Sequence, residues 1–387
     1  MSYLYDSFLI DIAQNFNIYT KKDLEIIKNN ISDENLAKLL ELSNEIFDFK
    51  LTSVVDTKPT NLKEILDIDP HDYFSVGLYY SKNPNTHNGL PYIKKDGVIN
   101  EDNVKFNKLA LRQVGFIGFV GSLAYYFSND EKYIKCVIKH FRHFFINTDS
   151  KMNPNLEHSQ MIPGINKGRG IGIIDFACIF NSVLVLFKNL LDLEMLDRGF
   201  YEDFKSWVSE LKIWLLRSKN GTEEKCAKNN HGTTYDELLI SINYFLEIKD
   251  LELLQSLNNR LSFQIDNLGK MPYELERTRS LSYSFMNLRA FSSSFKLLNT
   301  RKEDINRKFF LSTEFLKDAI ENGLLSWKYK QIKNSYSENF RLFICFEFIY
   351  NYNYVFKIDL SGFEDSYIKY LLIDSIKKEN NYENSIN

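Results

Sequence analysis

Residues 129–145 read NDEKYIKCVIKHFRHFF and carry the pattern that decides the fold. Their apolar side chains recur at three- and four-residue steps, at Tyr133, Val137, Phe141, Phe144 and Phe145. Residues three and four apart lie on one face of an α-helix, and Asn129-Asp130 is suited to cap its start. The segment is therefore predicted to form an amphipathic helix.

The same periodicity recurs along the chain. One stripe follows Ser32-Asp33, at Leu36, Leu39, Leu40 and Phe47. Further helical patterns cover 103–126, 172–191, 200–217, 234–248, 251–267, 281–298 and 303–322. Such a series without a fixed-period repeat predicts an all-α fold in which helix hairpins form a toroid.

Composition indicates a globular protein. With 48 basic and 51 acidic residues the net charge is −3, so a polycation that coats nucleic acid is excluded. An anionic ligand must therefore meet a local basic cleft. Hydrophobic residues make up 44% of the chain, enough for a large core, and no Pro/Gly/Ser-rich linker divides it. We expect one domain over 1–376 and a polar tail over 377–387.

No membrane insertion is expected, because uninterrupted apolar runs such as Val183 to Phe187 fall short of the roughly 18 residues of a spanning helix. Asp6 and Asp11 interrupt what would be the apolar part of a signal peptide. The chain as given is thus expected to be cytoplasmic, or periplasmic or secreted if a leader precedes it.

Neither a cofactor nor a metal site is expected. The four cysteines lack ligand spacing, which also argues against a disulfide framework. His140 and His143 share a helix, but no nearby carboxylate or cysteine completes a ligand set.

Three stretches, 71–102, 147–172 and 219–233, break the helical rhythm with Gly, Pro, Asn and other polar residues. We expect them to form loops at one rim of the toroid and to carry the functional site. The segment 341–360 fits either a strand or a buried helix.

The third stretch ends in NNHGTTYD, residues 229–236. With Thr233 or Thr234 as N-cap, Asn230 and His231 lie at a helix start, where free N–H groups and the helix dipole favour an anion. This predicts carboxylate binding. The alternative is a simple turn with His231 on the surface.

A second candidate is ELERTRSLSY, residues 274–283. Arg277 and Arg279 are expected to lower the pKa of Tyr283 below its ordinary value of about 10, which would make it a proton acceptor. The alternative is an ordinary helix start with ion pairs between Glu276 and the arginines.

A third candidate is the glycine-rich loop 153–172, which can bring Gln160, Lys167 and Arg169 against a polar polymer. It lacks both the GxGxxG order and the Gly-Lys-Ser/Thr ending, so nucleotide binding is not expected.

Together these blocks resemble the alginate lyase superfamily of α/α-toroid polysaccharide lyases. The similarity rests on NPNLEHSQMIPGINKGRGIGIID, NNHGTTYDELL and ELERTRSLSYSFMNLRAF, preceded by DYFS and GLPYIKKDG, over roughly residues 70 to 300. It is closest to the broader alginate and glucuronan lyase-like branch. One departure is Tyr79-Tyr80-Ser81-Lys82-Asn83-Pro84, where the family commonly has a tryptophan before Pro-Asn-Pro.

The resemblance implies an incomplete (α/α)6-7 toroid and metal-free β-elimination in an acidic polysaccharide of 4-linked uronic acids. Asn230 and His231 match the pair at the family's cleavage subsite, and Tyr283 matches its catalytic tyrosine. Arg277 or Arg279 matches the carboxylate-binding arginine. His231 could itself be the base where the C5 proton lies on the opposite face. The substrate-binding candidates are Gln160, Arg169, Lys167, His158, Tyr79, Tyr80 and Asn229.

Two other functions stay open at this point. One is a catalytically silent glycan-binding or polysaccharide-assembly protein on the same fold. The other is a toroidal hydrolase that uses Asp236, Glu274 or Glu276 as an acid/base pair.

Overall fold

The computed structural model describes residues 18–57, 67–100, 105, 107–299, 303–322 and 327–332. Its α-helices are α1 Lys21–Asn30, α2 Asp33–Ser43, α3 Asn107–Ser128, α4 Glu131–Phe141, α5 Ile174–Asp192, α6 Arg198–Arg217, α7 Lys219–Lys225, α8 Asn230–Leu246, α9 Leu251–Gln264, α10 Pro272–Leu275, α11 Ser280–Leu297 and α12 Glu303–Asn322. Its strands are β1 Phe74–Val76, β2 Tyr80–Ser81, β3 Ile93–Lys94 and β4 His158–Met161.

Four helices form the inner row of the toroid. α3, α5, α8 and α11 contact one another in that order, and each is buried on nearly every side. The outer helices α4, α6 and α9 pack against α3, α5 and α8, and bury only one face. This arrangement confirms the predicted all-α toroid. The full number of helix pairs depends on residues outside the described ranges.

The aromatic stripe of 133–145 lies in the core as predicted, with all five of its apolar residues buried. The Phe141 ring packs edge-on against Phe204 of α6 at 5.4 Å between centroids. Phe145 packs against Trp207 at 4.6 Å. These contacts hold the α3–α4 pair against α6, since offset and edge-to-face geometries suit aromatic rings.

Glycines allow α3 to approach its neighbours closely. A Cβ at Gly115 would come within 2.0 Å of the Ile179 side chain on α5. A Cβ at Gly118 would come within 2.7 Å of the Phe141 ring on α4. Because packed interiors leave no room for an added methyl group, these positions set the helix spacing.

The segment Gly170–Asp192, which ends in α5, is long and apolar enough to cross a membrane by length and composition alone. The sequence analysis predicted a helical pattern over 172–191, but it counted only uninterrupted apolar runs and did not note this overall hydropathy. In the fold, 89% of its most apolar stretch is buried inside the protein. Its hydropathy is therefore that of an inner helix of the toroid.

The three predicted loops contain regular structure. β1 pairs in parallel with β4, and β2 pairs antiparallel with β3, so the first two stretches form two small sheets. The prediction that 219–233 is a loop is wrong, because α7 and the first turn of α8 occupy most of it. The predicted segment 341–360, the domain limit at 376 and the tail 377–387 lie outside the described residues.

Gly115→Ala should lower the free energy of unfolding by about 1–3 kcal/mol, because the added methyl group overlaps Ile179. Gly199→Ala is the matched control, since a Cβ there would meet only Asp197 at 3.4 Å. We expect the control to be neutral or stabilising by up to about 1 kcal/mol. Urea unfolding measures both variants, and equal destabilisation would contradict the close approach of α3 and α5.

Candidate active site

The pair Asn230-His231 lies in the first turn of α8. The N-cap is Asn229, whose side-chain oxygen accepts a hydrogen bond from the backbone N–H of His231 at 3.3 Å. The predicted cap at Thr233 or Thr234 is therefore wrong by four or five residues. Both threonines are buried and lie within the helix, because the helix already begins at Asn230. This places the His231 ring at the rim of the toroid.

The anion at this helix start is a carboxylate of the chain itself. The backbone N–H of Asn230 donates to Oε1 of Glu274 at 2.6 Å, and the side-chain amide donates to Oε2 at 2.7 Å. The helix start thus binds a carboxylate, as its pattern predicted, but the carboxylate is that of Glu274. Burial raises the pKa of Glu274 to about 7, although the Asn230 bonds oppose the shift.

His231 is held by a second carboxylate. Its Nδ1 lies 2.8 Å from Oε1 of Glu224, which is buried on α7. Burial alone would lower the His231 pKa, but the charge and hydrogen bond of Glu224, together with the charge of Glu274, outweigh it, and the pKa is raised. Sequence reasoning missed Glu224, because a Glu223-Glu224 pair in a polar stretch is typical of a solvated surface.

Tyr283 lies at the centre of the group. Its hydroxyl is 2.7 Å from the hydroxyl of Tyr79, and the Arg277 guanidinium lies over its ring at 4.6 Å from the centroid. Tyr283 is 8% exposed. The expected lowering of its pKa is contradicted. Burial and Tyr79 raise the pKa well above 10, and the two arginines offset only part of this.

The two arginines, Arg277 and Arg279, have different environments. Arg277 is partly exposed and contacts Asp96 at 3.4 Å, so its guanidinium can turn to a ligand. Arg279 is buried, and its Nε and Nη2 donate to the carbonyl oxygen of Gly97 at 2.9 and 2.6 Å. Arg277 is the better candidate for carboxylate binding, while Arg279 holds the loop at Gly97. Glu276 is exposed and is not the partner of Arg277 in this arrangement.

A second wall of the site consists of Gln160, Arg169 and Tyr80. Nε of Arg169 donates to the backbone oxygen of Gln160 at 2.8 Å, and Nη2 lies 3.3 Å from the Gln160 side-chain oxygen. The guanidinium lies over the Tyr80 ring at 5.0 Å. The first wall contains His231 and its partner Glu224. Glu224 also acts electrostatically on Arg169 of the second wall. The two walls therefore belong to one site.

Asp175, which the sequence analysis did not identify, fixes the second wall by a hydrogen bond to Gln160. Its carboxylate accepts hydrogen bonds from Gln160 at 2.9 Å and from Ser75 at 2.7 Å, and pairs with Lys108 at 2.7 Å. Burial tends to raise its pKa, but Lys108 and the hydrogen bonds lower it overall, so Asp175 stays ionised. The Gln160 side chain is thereby fixed.

Three predicted substrate-binding residues have other contacts. His158 uses both ring nitrogens, Nδ1 with the Lys167 carbonyl at 3.0 Å and Nε2 with Asp72 at 3.4 Å. The Lys167 side chain is exposed and contributes to this link only through its backbone. Asn229 caps α8. These residues shape the loop and the helix start around the site.

Of the three carboxylates considered for a hydrolase, two are already hydrogen-bonded within the protein and the third is exposed. Nε of Arg260 donates to Asp236 at 2.7 Å in the interior, and Glu274 is bound by Asn230. Glu276 is exposed. This arrangement does not favour a hydrolytic acid/base pair from these three residues. Within the described ranges, no three or more His, Cys, Asp or Glu side chains form a group that could hold a metal ion.

The all-helical toroid and the family match together support a polysaccharide lyase. The sequence profile of the alginate lyase family matches residues 67–309. The chain therefore belongs to the alginate lyase family. A search of functionally curated proteins finds no match.

Two solved structures are similar in fold. An alginate lyase from Bacteroides ovatus has a TM-score of 0.78 and 29% sequence identity, over 87% of this chain and 92% of that one. Alginate lyase A1-III from Sphingomonas species A1 has a TM-score of 0.52 and 14% identity, over 88% and 93% of the two chains. The second likeness concerns the fold alone.

The raised pKa of Glu274 predicts a pH dependence of stability. The ordinary value is 4.5 and the folded value is about 7, so the folded protein holds a proton that the unfolded chain releases. This contribution is fully present below pH 4.5 and is lost as the pH rises through about 7.

Between about pH 5 and pH 8 the unfolding free energy of the wild type should therefore fall by about 3 kcal/mol more than that of Glu274→Gln. Urea unfolding across this range measures the difference in slope, whatever the absolute stability of the variant. Parallel profiles for the two proteins would show that Glu274 does not titrate in this range.

Proposed function

We propose that this chain cleaves a polymer of 4-linked uronic acid, alginate- or glucuronan-like, by β-elimination. The observation that carries the proposal is that Arg277 links Tyr283 to His231. Its guanidinium lies over the Tyr283 ring and also acts electrostatically on His231. Family membership supports the reaction class.

The cationic and amide groups around Tyr283 suit the charge that the reaction creates. Removing the proton at C5 of a uronate moves negative charge onto its carboxylate. Arg277 and His231 can donate hydrogen bonds to that carboxylate, and Asn230 retains one side-chain N–H beyond the one bound to Glu274. Donors held in place before the reaction stabilise such an intermediate without reorganisation.

Tyr283 would be both base and acid. In this mechanism the Tyr283 phenol first passes its proton to Nε2 of neutral His231, and the resulting phenolate takes the C5 proton. The neutral phenol then protonates the leaving oxygen O4, and His231 returns its proton to solvent. One group can do both only if the C5 proton and O4 lie on the same face of the sugar, as in D-mannuronate and D-glucuronate. The proposal therefore favours D-mannuronate and D-glucuronate over their C5 epimers.

The direct test is ultraviolet absorbance over time with polymannuronate, polyguluronate, glucuronan and glycosaminoglycans. Growth of the signal of the conjugated C4=C5 double bond is expected with a D-uronate polymer. Both Tyr283→Phe and His231→Ala should lose at least about 100-fold in kcat, since each removes a group of the reaction.

Tyr273→Phe is the matched control, because Tyr273 is exposed and packs on Phe263 away from this cluster. It should retain wild-type activity. Tight glycan binding without product, unchanged by Tyr283→Phe, would instead support a silent binding protein. Saturated products with a new reducing end would support a hydrolase and exclude the proposal.

The pH profile gives a second prediction. At low pH both Tyr283 and His231 are protonated, and one proton must leave this pair before Tyr283 can accept another. Because the Tyr283 pKa is raised far above that of the imidazole, the first proton lost as the pH rises belongs to His231. We expect kcat/KM to rise with pH, with an acid limb above about 6.5. A limb below that value would contradict the raised His231 pKa.

A further inference from the structure

Glu224 is a buried carboxylate with an incomplete set of partners. It is 1% exposed on α7, and Oε1 contacts Nδ1 of His231. Among the residues that the structure describes, Oε2 has no hydrogen-bond partner. Leaving a buried carboxylate oxygen unpaired costs stability, so packing alone gives no reason for an acid at this position.

The environment of His231 consists of few charged groups. Glu224 on α7 and Glu274 on α10 favour its protonated form, whereas Arg277, ahead of α11, disfavours it. Arg169, at the edge of the second wall, acts on the same Glu224. Of these groups, Glu224 makes the direct hydrogen bond to the ring.

The position of Glu224 is well defined. α7 begins at the Ser218 cap, whose side chain accepts a hydrogen bond from the backbone N–H of Gly221 at 2.9 Å. At the other end, a Cβ on Gly170 would come within 3.0 Å of the Glu224 backbone nitrogen, so the Arg169 loop lies directly on α7. The carboxylate is therefore held on both sides, as a positioning group requires.

We propose that Glu224 is a positioning residue that fixes the tautomer of His231 and sets its affinity for a proton. A carboxylate only accepts hydrogen bonds, so Nδ1 of His231 must carry the hydrogen at 2.8 Å. Nε2, which bonds to no other described side chain, is then the nitrogen presented to the sugar. Ionised Glu224 stabilises the imidazolium form and holds the ring in this orientation.

This role of Glu224 adds a residue to the proposed reaction, and its effect on catalysis rests on the proposed function. Because the first proton lost from the Tyr283–His231 pair belongs to His231, the charge of Glu224 sets the pH at which the enzyme becomes active. Once His231 has taken the Tyr283 proton on Nε2, the same charge stabilises the imidazolium that donates to the uronate carboxylate. Glu224 itself touches neither the sugar nor the reacting atoms.

The experiment is Glu224→Gln, which keeps the shape of the side chain and removes its charge. The matched control is Glu223→Gln, which removes the same charge one residue earlier, where the exposed carboxylate bonds only the backbone N–H of Gly170 at 3.2 Å. ¹H–¹⁵N NMR of the imidazole nitrogens, assigned with His231→Ala, gives the His231 pKa without substrate. Thermal unfolding checks that each variant is folded.

In Glu224→Gln the His231 pKa should fall by about one unit or more, and the acid limb of kcat/KM should move down by the same amount. kcat should fall at least about tenfold, because the amide no longer imposes one tautomer. Glu224→Asp, which keeps the charge, should restore much of the pKa. Glu223→Gln should change neither the His231 pKa nor the acid limb of kcat/KM.

A His231 pKa within about 0.3 of the wild-type value in Glu224→Gln, or an equal shift in Glu223→Gln, would overturn the proposal. A shifted His231 pKa in Glu224→Gln with an unchanged acid limb of kcat/KM would also overturn it, since His231 would then not govern activity. A wild type that cleaves no uronate polymer would refute the proposed function, and the NMR titration would still decide whether Glu224 sets the charge of His231.

Discussion

The bond between the start of α8 and Glu274 is the contact on which the site depends. The positive end of a helix needs an anion or a polar partner, and Glu274 meets Asn230 there through both carboxylate oxygens. Glu274 lies in the short helix α10, and Arg277 and Tyr283 follow within nine residues. Fixing one carboxylate therefore sets the distance between the Asn230–His231 pair and the phenol.

Buried ion pairs hold the walls of the site in a similar way. Arg289 of α11 donates to both oxygens of Glu237 on α8 at 2.7 Å, and Lys108 of α3 pairs with Asp175 on α5. Because the inner helices are buried on nearly every side, an ionised group on them has no access to water and must find a partner. Such pairs add little net stability, but breaking one leaves a buried charge that distorts the helices around it.

The electrostatics of the site differ from those of the whole chain. The protein carries a net charge of −3, yet Arg277, Arg169 and a His231 with a raised pKa are linked to one another through the charge of Glu224 and their own charges. The carboxylates beside them, Glu224 and Glu274, are buried beneath the surface that a polymer would meet. This grouping of cations is the local basic surface that the composition requires of a site for an anionic ligand.

Much of the scaffold was predictable from the sequence, because helical periodicity reflects contacts between residues three and four apart. The stripe from Tyr133 to Phe145 is in the core, and the three polar stretches lie where the site is built. Sequence motifs and the family resemblance also identified Asn230, His231 and Tyr283. These features depend on short segments, whose local pattern is visible in the printed sequence.

The partners of those residues were decided by the tertiary structure. Glu224 meets His231 seven residues away, Glu274 meets Asn230 across 44 residues, and Tyr79 meets Tyr283 across 204. The sign of the Tyr283 pKa shift was likewise wrong from sequence, because nearby arginines are visible in a sequence and burial is not. Desolvation and the pairing of distant side chains depend on how the helices pack, and no local pattern contains that information.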